Sequence, residues 1–391
     1  MSKKIAIIFN APILGGAERS IVQQAKDLRE HGKEINFFIP GSDNTFGPLK
    51  DFIVHEGFNP NQISYFYFPF FILNISKRSG IIRLALAISL FPFIFLLAPK
   101  ELRLFDIIWA NGNKAGFYSF AVSVLTQFNG TVVWHFRDYP ARRFFNWLTR
   151  EFFNMRQVFK FKLVANSKSV FSYIESISTQ NAEIMGTYLY NPIANAQTVN
   201  HKLQRKLETI ACVSMLAPWK GQHQVIIMAA LYEKELKQLG IKRINIYGSQ
   251  IYQTSGGHIT YFQQLEKLKL KLNANLIQFK GNSSPSKIYS TIDILIHSSI
   301  KPEPFGRVIT EAFLNRIPVI STSLGGAKEL VLDEKTGYSY YPFDPHQLFN
   351  QISKLVHLPE KTNQISQEAF RFASEINKNA RNQINKWVDS L

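Results

Sequence analysis

A chain of 391 residues is longer than one hydrophobic core usually organises, so two domains are expected. A hydrophobic fraction of 46% is enough for both to fold, and the single cysteine, Cys212, excludes an internal disulfide and suits a reducing, cytoplasmic compartment. The formal net charge of +17 is unevenly placed, with 14 Lys/Arg against 4 Asp/Glu between Phe66 and Lys168, which draws the chain toward anionic surfaces.

The opening run Ile5 to Phe9 is too short for a signal-peptide core and predicts a first buried strand, Lys4 to Phe9. Strands follow at Glu34 to Ile39, Asp106 to Trp109, Thr131 to Phe136 and Lys162 to Ala165. The second half repeats the pattern at Thr209 to Ser214, Arg243 to Tyr247, Leu276 to Phe279, Ile292 to Ile296 and Pro318 to Ser321. Amphipathic stretches such as Ala17 to His31, Gln222 to Gln238, Gln263 to Leu272 and Arg307 to Asn315 fall between them and read as helices. Strands alternating with helices in this way predict two doubly wound parallel α/β domains, and ligands of such folds bind beyond the carboxyl ends of the strands. The join is placed in the polar segment after Tyr190, giving domains 1–195 and 196–374, with the C-terminal helix, 375–391, able to return to the first.

The uncharged stretch Leu84 to Ala98 is interrupted by Pro92 and falls short of the roughly twenty residues that span a bilayer. Two readings stand for it. One is a helix packed in the first domain; the other is a monotopic patch in the lipid interface, flanked by Lys77, Arg78, Arg83, Lys100 and Arg103 and extended by Tyr65 to Leu73.

Several segments carry candidate chemistry. The first strand runs into Gly15-Gly16 at a helix start, where the backbone can approach a phosphate or a sugar closely; a tight strand-to-helix turn needs glycine as well. It is neither a G-x-G-x-x-G fingerprint nor a P-loop. Thr131 to Phe136 delivers His135, Arg137 and Asp138 to the same edge, where an imidazole beside an Arg-Asp pair can orient a hydroxyl; a structural histidine is the plainer alternative. Lys220, near the start of the second domain's first helix, can hold a diphosphate, although a solvent-facing lysine is common. The most specific constellation is Pro302-Glu303-Pro304-Phe305-Gly306-Arg307-Val308-Ile309-Thr310-Glu311-Ala312. It fixes an irregular loop, starts a helix and places two carboxylates on either side of the Phe305, Gly306 and Arg307 backbone.

Taken together, GGAER, WHFRDYP, LAPWKGQ, EPFGRVITEA and PVISTSLGGAKEL resemble the retaining glycosyltransferases of family 4, which have the GT-B fold, in order and spacing over nearly the whole chain. The resemblance implies two Rossmann-like domains facing a central cleft, with nucleotide-sugar binding in the second and acceptor binding on the side of the first. It implies sugar transfer with retention of configuration, by front-face attack with the donor diphosphate helping to deprotonate the acceptor; the basic, aromatic first domain in turn points to a glycan or lipid-linked acceptor at or near a membrane. It also implies that Gly15 and Gly16 meet the donor phosphate, that His135 lies near the transferred sugar, and that Lys220 binds the diphosphate. Glu303 would bind the sugar and Glu311 the ribose, with Phe305, Gly306 and Arg307 beside the donor and Arg137 and Asp138 on the acceptor side or behind it. No cofactor is implied, and the sequence has no D-x-D for a metal. One departure stands out: Ser214-Met215 replaces the Gly-Arg pair usual in the family, so one cationic diphosphate ligand is missing and Arg307 is the residue to compensate. That departure sustains a second expectation, a catalytically silent partner or scaffold. A nucleic-acid binder would explain the charge but leave the acidic motifs without a role.

Overall fold

A computed structural model of the chain describes residues 2–41, 47–66, 99–140, 160–177, 186–193, 206–249 and 260–391. The apolar stretch from Leu84 to Ala98, most of its aromatic extension and most of the linker lie outside them. The chain divides into two compact units, Met1–Pro192 with Lys378–Leu391, and Ile193–Asn377.

The first unit contains a seven-stranded, all-parallel sheet. Its strands are β1 (Lys4–Phe9), β2 (Glu34–Pro40), β3 (Ile63–Phe66), β4 (Ile107–Asn111), β5 (Thr131–Phe136), β6 (Phe161–Ala165) and β7 (Gly186–Tyr188), in spatial order β3-β2-β1-β4-β5-β6-β7. Strands buried on both faces need apolar residues at every position, and the central ones have them: Ile5 to Phe9 and Ile107 to Ala110 are all buried. Helices α1 (Gly16–Glu30), α2 (Gly47–His55), α3 (Asn113–Thr126) and α4 (Lys168–Ile177) provide crossovers and cover. The edge strands β3 and β7 were not anticipated. Ile63–Phe66 merges with the aromatic run after it, and Gly186–Tyr188 has three half-buried residues and no alternation.

The second unit repeats the plan. Strands β8 (Thr209–Val213), β9 (Arg243–Tyr247), β10 (Ile277–Gly281), β11 (Ile294–His297), β12 (Val319–Ser321) and β13 (Tyr338–Ser339) are parallel, in order β10-β9-β8-β11-β12-β13. The helices are α5 (Gln222–Leu231), α6 (Glu233–Gln238), α7 (Tyr261–Lys271), α8 (Pro285–Tyr289), α9 (Arg307–Leu314), α10 (Ala327–Leu330), α11 (Pro345–His357) and α12 (Pro359–Asp389). The expected helix from Gln222 to Gln238 is two, broken at Tyr232, whose ring stacks on Phe349 with centroids 4.4 Å apart. In each sheet the strand order reverses once, between β1 and β4 and between β8 and β11. The connections leaving these two strands diverge there, which opens a crevice at their carboxyl ends.

Helix α12 starts in the second unit and ends in the first, where Ile384 and Val388 join the core of Ile7, Ile21, Leu28 and Trp109. Its last carbonyls carry the negative end of the helix dipole. Lys3 Nζ donates to Val388 O at 2.8 Å and to Asp389 O at 3.2 Å, and Lys33 pairs with the Asp389 carboxylate. Because Ile384 is fully buried, Ile384→Ala is expected to destabilise the first unit by about 2–5 kcal/mol. Chemical denaturation followed by tryptophan fluorescence measures this, and an unchanged midpoint would show that the helix end is dispensable.

Candidate functional site

The second unit's site forms where β8 and β11 lie side by side. After β8 the chain runs through Pro218-Trp219-Lys220, and Gly221 then turns it into α5 with φ +70°, a conformation that favours glycine. A Cβ on Gly221 would sit 2.0 Å from Ser298 O, so a larger residue would push the two loops apart. They are stitched together: Ile300 N donates to Trp219 O at 2.8 Å, and Ser298 Oγ donates to Lys220 O at 2.8 Å. The loop after β11 is pinned on its other side, where Glu303 N donates to Leu324 O at 3.1 Å and Gly326 N donates to Glu303 O at 2.7 Å. A Cβ on Gly326 would lie 2.4 Å from Pro304 O, which explains the second glycine of the Gly325-Gly326 pair. Gly306, in the left-handed region at φ +96°, then starts α9.

This backbone brings Lys220 and Glu303 into contact. Lys220 Nζ donates to Glu303 Oε2 at 2.6 Å, with both side chains about nine-tenths buried. The ammonium also lies 4.1 Å from the centroid of the Trp219 ring. Two further groups meet the same oxygen: Ser299 Oγ donates to it at 3.0 Å, and His297 Nε2 at 3.3 Å. Burial acts to raise the Glu303 carboxyl, but the Lys220 charge and the His297 contact outweigh it and hold the group well below the ordinary carboxylate range. Glu303 is therefore an ionised, buried anion.

Glu311, on the first full turn of α9, is held from two sides. Tyr289 Oη donates to Oε2 at 2.8 Å, and Arg307 Nε donates to Oε1 at 2.7 Å. Burial, with the Glu311 charge beside it, keeps the Tyr289 phenol well above its usual range, so it stays protonated and serves as a donor. Arg307, expected beside a diphosphate, thus spends its Nε on Glu311. Phe305 is buried beneath the loop. Met215 O and Ser214 Oγ, at the departure from the family pattern, are both bonded by Gln222 Nε2, at 2.8 and 2.7 Å.

The first unit carries a separate polar cluster. Gly15 N donates to Glu18 Oε2 at 3.0 Å, and a Cβ on Gly15 would come within 2.9 Å of that oxygen, the end of a flexible side chain that a small shift would clear. Gly16 is different: among the described residues nothing lies within 4 Å of where its Cβ would sit. Burial raises the Glu18 carboxyl, against the two backbone N–H groups and the Arg137 charge. Arg137 is buried, and amide oxygens hold it: Nε donates to Asn111 Oδ1 at 2.7 Å, Nη2 to Gln24 Oε1 at 2.9 Å and Nη1 to Asn191 Oδ1. Asp138 Oδ1 accepts from Tyr139 N at 2.9 Å. His135 is fully buried on the same edge. Trp109 Nε1 donates to its Nδ1 at 3.2 Å, which leaves the ring proton on Nε2, and Nε2 has no hydrogen-bond partner among the described residues. Burial, then the Arg137 charge, push its pKa well down, so the ring is neutral and offers a donor.

The sequence-predicted residues therefore form two groups. Lys220, Glu303, Phe305, Gly306, Arg307 and Glu311 share one loop assembly; Gly15, Gly16, His135, Arg137 and Asp138 lie at the carboxyl edge of the other sheet. Sequence reasoning gave no role to His297, Ser299, Ser321 or Tyr289. Their one-dimensional signal is weak, since Tyr289 and Glu311 stand 22 residues apart on different elements.

Residues 195–372 match the family model described as "Glycosyl transferases group 1". That match spans most of the second unit, Ile193–Asn377. The chain is 24% identical to the trehalose synthase of Pyrococcus horikoshii over 233 residues, 58% of this chain and 53% of that protein. It is 26% identical to the capsular polysaccharide biosynthesis glycosyltransferase CapM of Staphylococcus aureus, over 40% of this chain and 38% of CapM. The chain thus matches about half the length of the first of these relatives and less of the second. Among solved structures, Anabaena Alr3699/HepE in complex with UDP-glucose superposes with a TM-score of 0.78 at 22% identity, covering 100% of both chains. The fold is GT-B, with two parallel-sheet α/β units.

In the second unit, removing the Lys220 charge strands a buried carboxylate. Lys220→Met is expected to destabilise the second unit by about 3–5 kcal/mol, and adding Glu303→Gln should restore part of that. The pH dependence has a definite sign. The carboxyl is depressed in the folded chain, so the unfolded chain takes up the proton first as pH falls below the ordinary value of 4.5. The stabilisation is complete at neutral pH and drains away below that value. Urea midpoints at pH 7 and pH 4 should therefore fall further for the parent than for the double variant, and parallel falls would contradict an ionised Glu303.

Proposed function

We propose that the chain is a glycosyltransferase that moves a sugar from a nucleotide-sugar donor with retention of configuration. The observation that carries this is the pair of buried, separately held carboxylates, Glu303 and Glu311, at the two ends of the loop-to-helix turn from Phe305 to Arg307, with Lys220 bonded to the first. A nucleotide-sugar is polar at both ends and doubly anionic between them. Glu303 accepts from sugar hydroxyls, and Glu311 accepts from the ribose. The positive end of α9, with Lys220, receives the diphosphate. Such groups stabilise the charge that develops on the departing diphosphate, and catalysis rests on that and on positioning. The diphosphate itself assists deprotonation of the acceptor as it attacks from the same face.

In the first unit, open space at Gly16 lets a phosphate or an acceptor approach the start of α1, and Gly15 shapes that turn. His135 serves as a neutral hydrogen-bond donor to the transferred sugar through Nε2, with Arg137 fixing its surroundings and Asp138 on the acceptor side. HepE binding UDP-glucose favours a uridine donor, and CapM favours a glycan or lipid-linked acceptor in cell-surface polysaccharide or glycolipid synthesis. No helix among the described residues is long and apolar enough to cross a membrane. The basic charge of the first unit's sequence supports work at the cytoplasmic face, peripheral to an anionic membrane. Lys220 and the α9 terminus supply positive charge to the diphosphate, so transfer proceeds without a divalent metal or a cofactor.

A second reading, a silent partner protein, is favoured by Met215 in place of the arginine usual in the family. Turnover separates the two. Purified chain is expected to hydrolyse or transfer from a UDP-, GDP- or ADP-sugar in excess chelator. Glu311→Ala, which removes hydrogen bonds to a charged group, should weaken nucleotide binding by about tenfold or more. Tight nucleotide binding by that variant removes Glu311 from the site, and absence of turnover with every donor leaves the silent reading in its place.

A further inference from the structure

His297 ends β11 with its ring enclosed on both sides, only 4% exposed. A carboxylate only accepts, so the 3.3 Å contact with Glu303 Oε2 makes Nε2–H the donor. On the other side of the ring, Nδ1 and the Ser321 hydroxyl are hydrogen-bonded at 3.1 Å. Ser321 Oγ in turn accepts from Ser323 N at 3.0 Å. A hydrogen-bonded chain thus runs from the backbone after β12, through Ser321 and His297, to the Glu303 carboxylate. Two segments supply it: the end of β12 with the residues after it, and the end of β11 with the loop that follows. The order serine, histidine, carboxylate is that of a nucleophilic triad, but Ser321 is wholly buried and its oxygen already accepts a backbone N–H. No acyl or glycosyl group reaches it.

What the chain can do follows from its far end. The shortest contact of Glu303 is with Lys220, and Lys220 is also the cation placed for the donor diphosphate. A diphosphate that draws the ammonium toward itself loosens the contact that orients the carboxylate, at the moment the sugar needs that carboxylate in place. Ser299 and His297 act on the same oxygen from the β11 side, and neither faces the phosphates by this reading. We propose that His297 is a positioning residue that, backed by Ser321, holds the Glu303 carboxylate toward the sugar while Lys220 is shared with the diphosphate. This rests on Glu303 being the sugar ligand.

The consequence is selective: His297 should matter for the sugar and not for the nucleotide. The full-length chain is titrated with UDP and UDP-glucose, and in parallel with the GDP and ADP pairs. His297→Leu is expected to leave the affinity for the nucleoside diphosphate within about twofold while lowering that for the nucleotide-sugar and kcat by about tenfold, the size of one lost hydrogen bond to a charged group. His297→Gln, whose amide can still donate, should recover part of the loss. In a Glu303→Gln background His297→Leu should change nothing further, because residues that act through one another are not additive. Equal losses for nucleotide and nucleotide-sugar, or full additivity with Glu303→Gln, overturn the proposal. If Glu303→Gln itself leaves the sugar-to-nucleotide affinity ratio unchanged, the reading of Glu303 fails instead, as it does if no pair binds. Should His297→Leu lose its cooperative thermal transition, the same ratio in His297→Gln and Ser321→Ala decides: a lowered ratio in Ser321→Ala with recovery by glutamine supports the role, and unchanged ratios in both reject it.

Discussion

The buried ion pair between Lys220 and Glu303 is the constraint from which the rest of the site follows. Two charges taken out of water are tolerated only when each is closely matched, and the matching here needs groups from four places: the loop after β8, the end of β11, the loop that follows it, and the turn after β12 that pins that loop. Only adjacent strands at a reversal of strand order can bring such loops together. The glycines at 221 and 326 then have a mechanical reason, since any side chain there meets a carbonyl oxygen of the facing loop. Hydrophobic burial builds the sheet, and the ion pair specifies how the loops at its edge are arranged.

The parts of the fold legible in the sequence are those under the strongest physical demand. Central strands such as Lys4–Phe9 and Arg243–Tyr247 are buried along nearly their whole length, and their bounds could be read to the residue. The edge strands Ile63–Phe66 and Gly186–Tyr188 face less of that demand and were not legible, whereas the edge strand Ile277–Gly281 was. The break at Tyr232 was hidden too, because both halves of the stretch are helical by propensity and only packing against Phe349 accounts for the aromatic there.

In the site, the contiguous motif from Glu303 to Glu311 was legible, because one loop and one helix turn hold it. Its supports were not. His297, Ser299, Ser321 and Tyr289 are ordinary residues in their own segments, and they acquire a role only when a carboxylate from another segment arrives. The same holds for Arg137. In one dimension it stands beside Asp138 and invites an Arg-Asp pairing, yet Asn111, Gln24 and Asn191 occupy its three nitrogens. A guanidinium held by neutral amides keeps its full charge, and that charge, with burial, is what keeps the neighbouring His135 ring neutral.

The path of α12 adds a constraint of a different kind. The core of the first unit contains Ile384 and Val388, which lie nearly four hundred residues along the chain from Ile5 and Ile7. Because α12 is made last, the first unit cannot complete its core until the second has been synthesised and α12 has formed. Among the described residues, the second unit's core, running from Ile210 to Ile365, draws only on its own span. It follows that the second unit is the one able to fold early. The buried ion pair at its sheet edge can then form before the first unit, with its own polar cluster around Arg137, is complete.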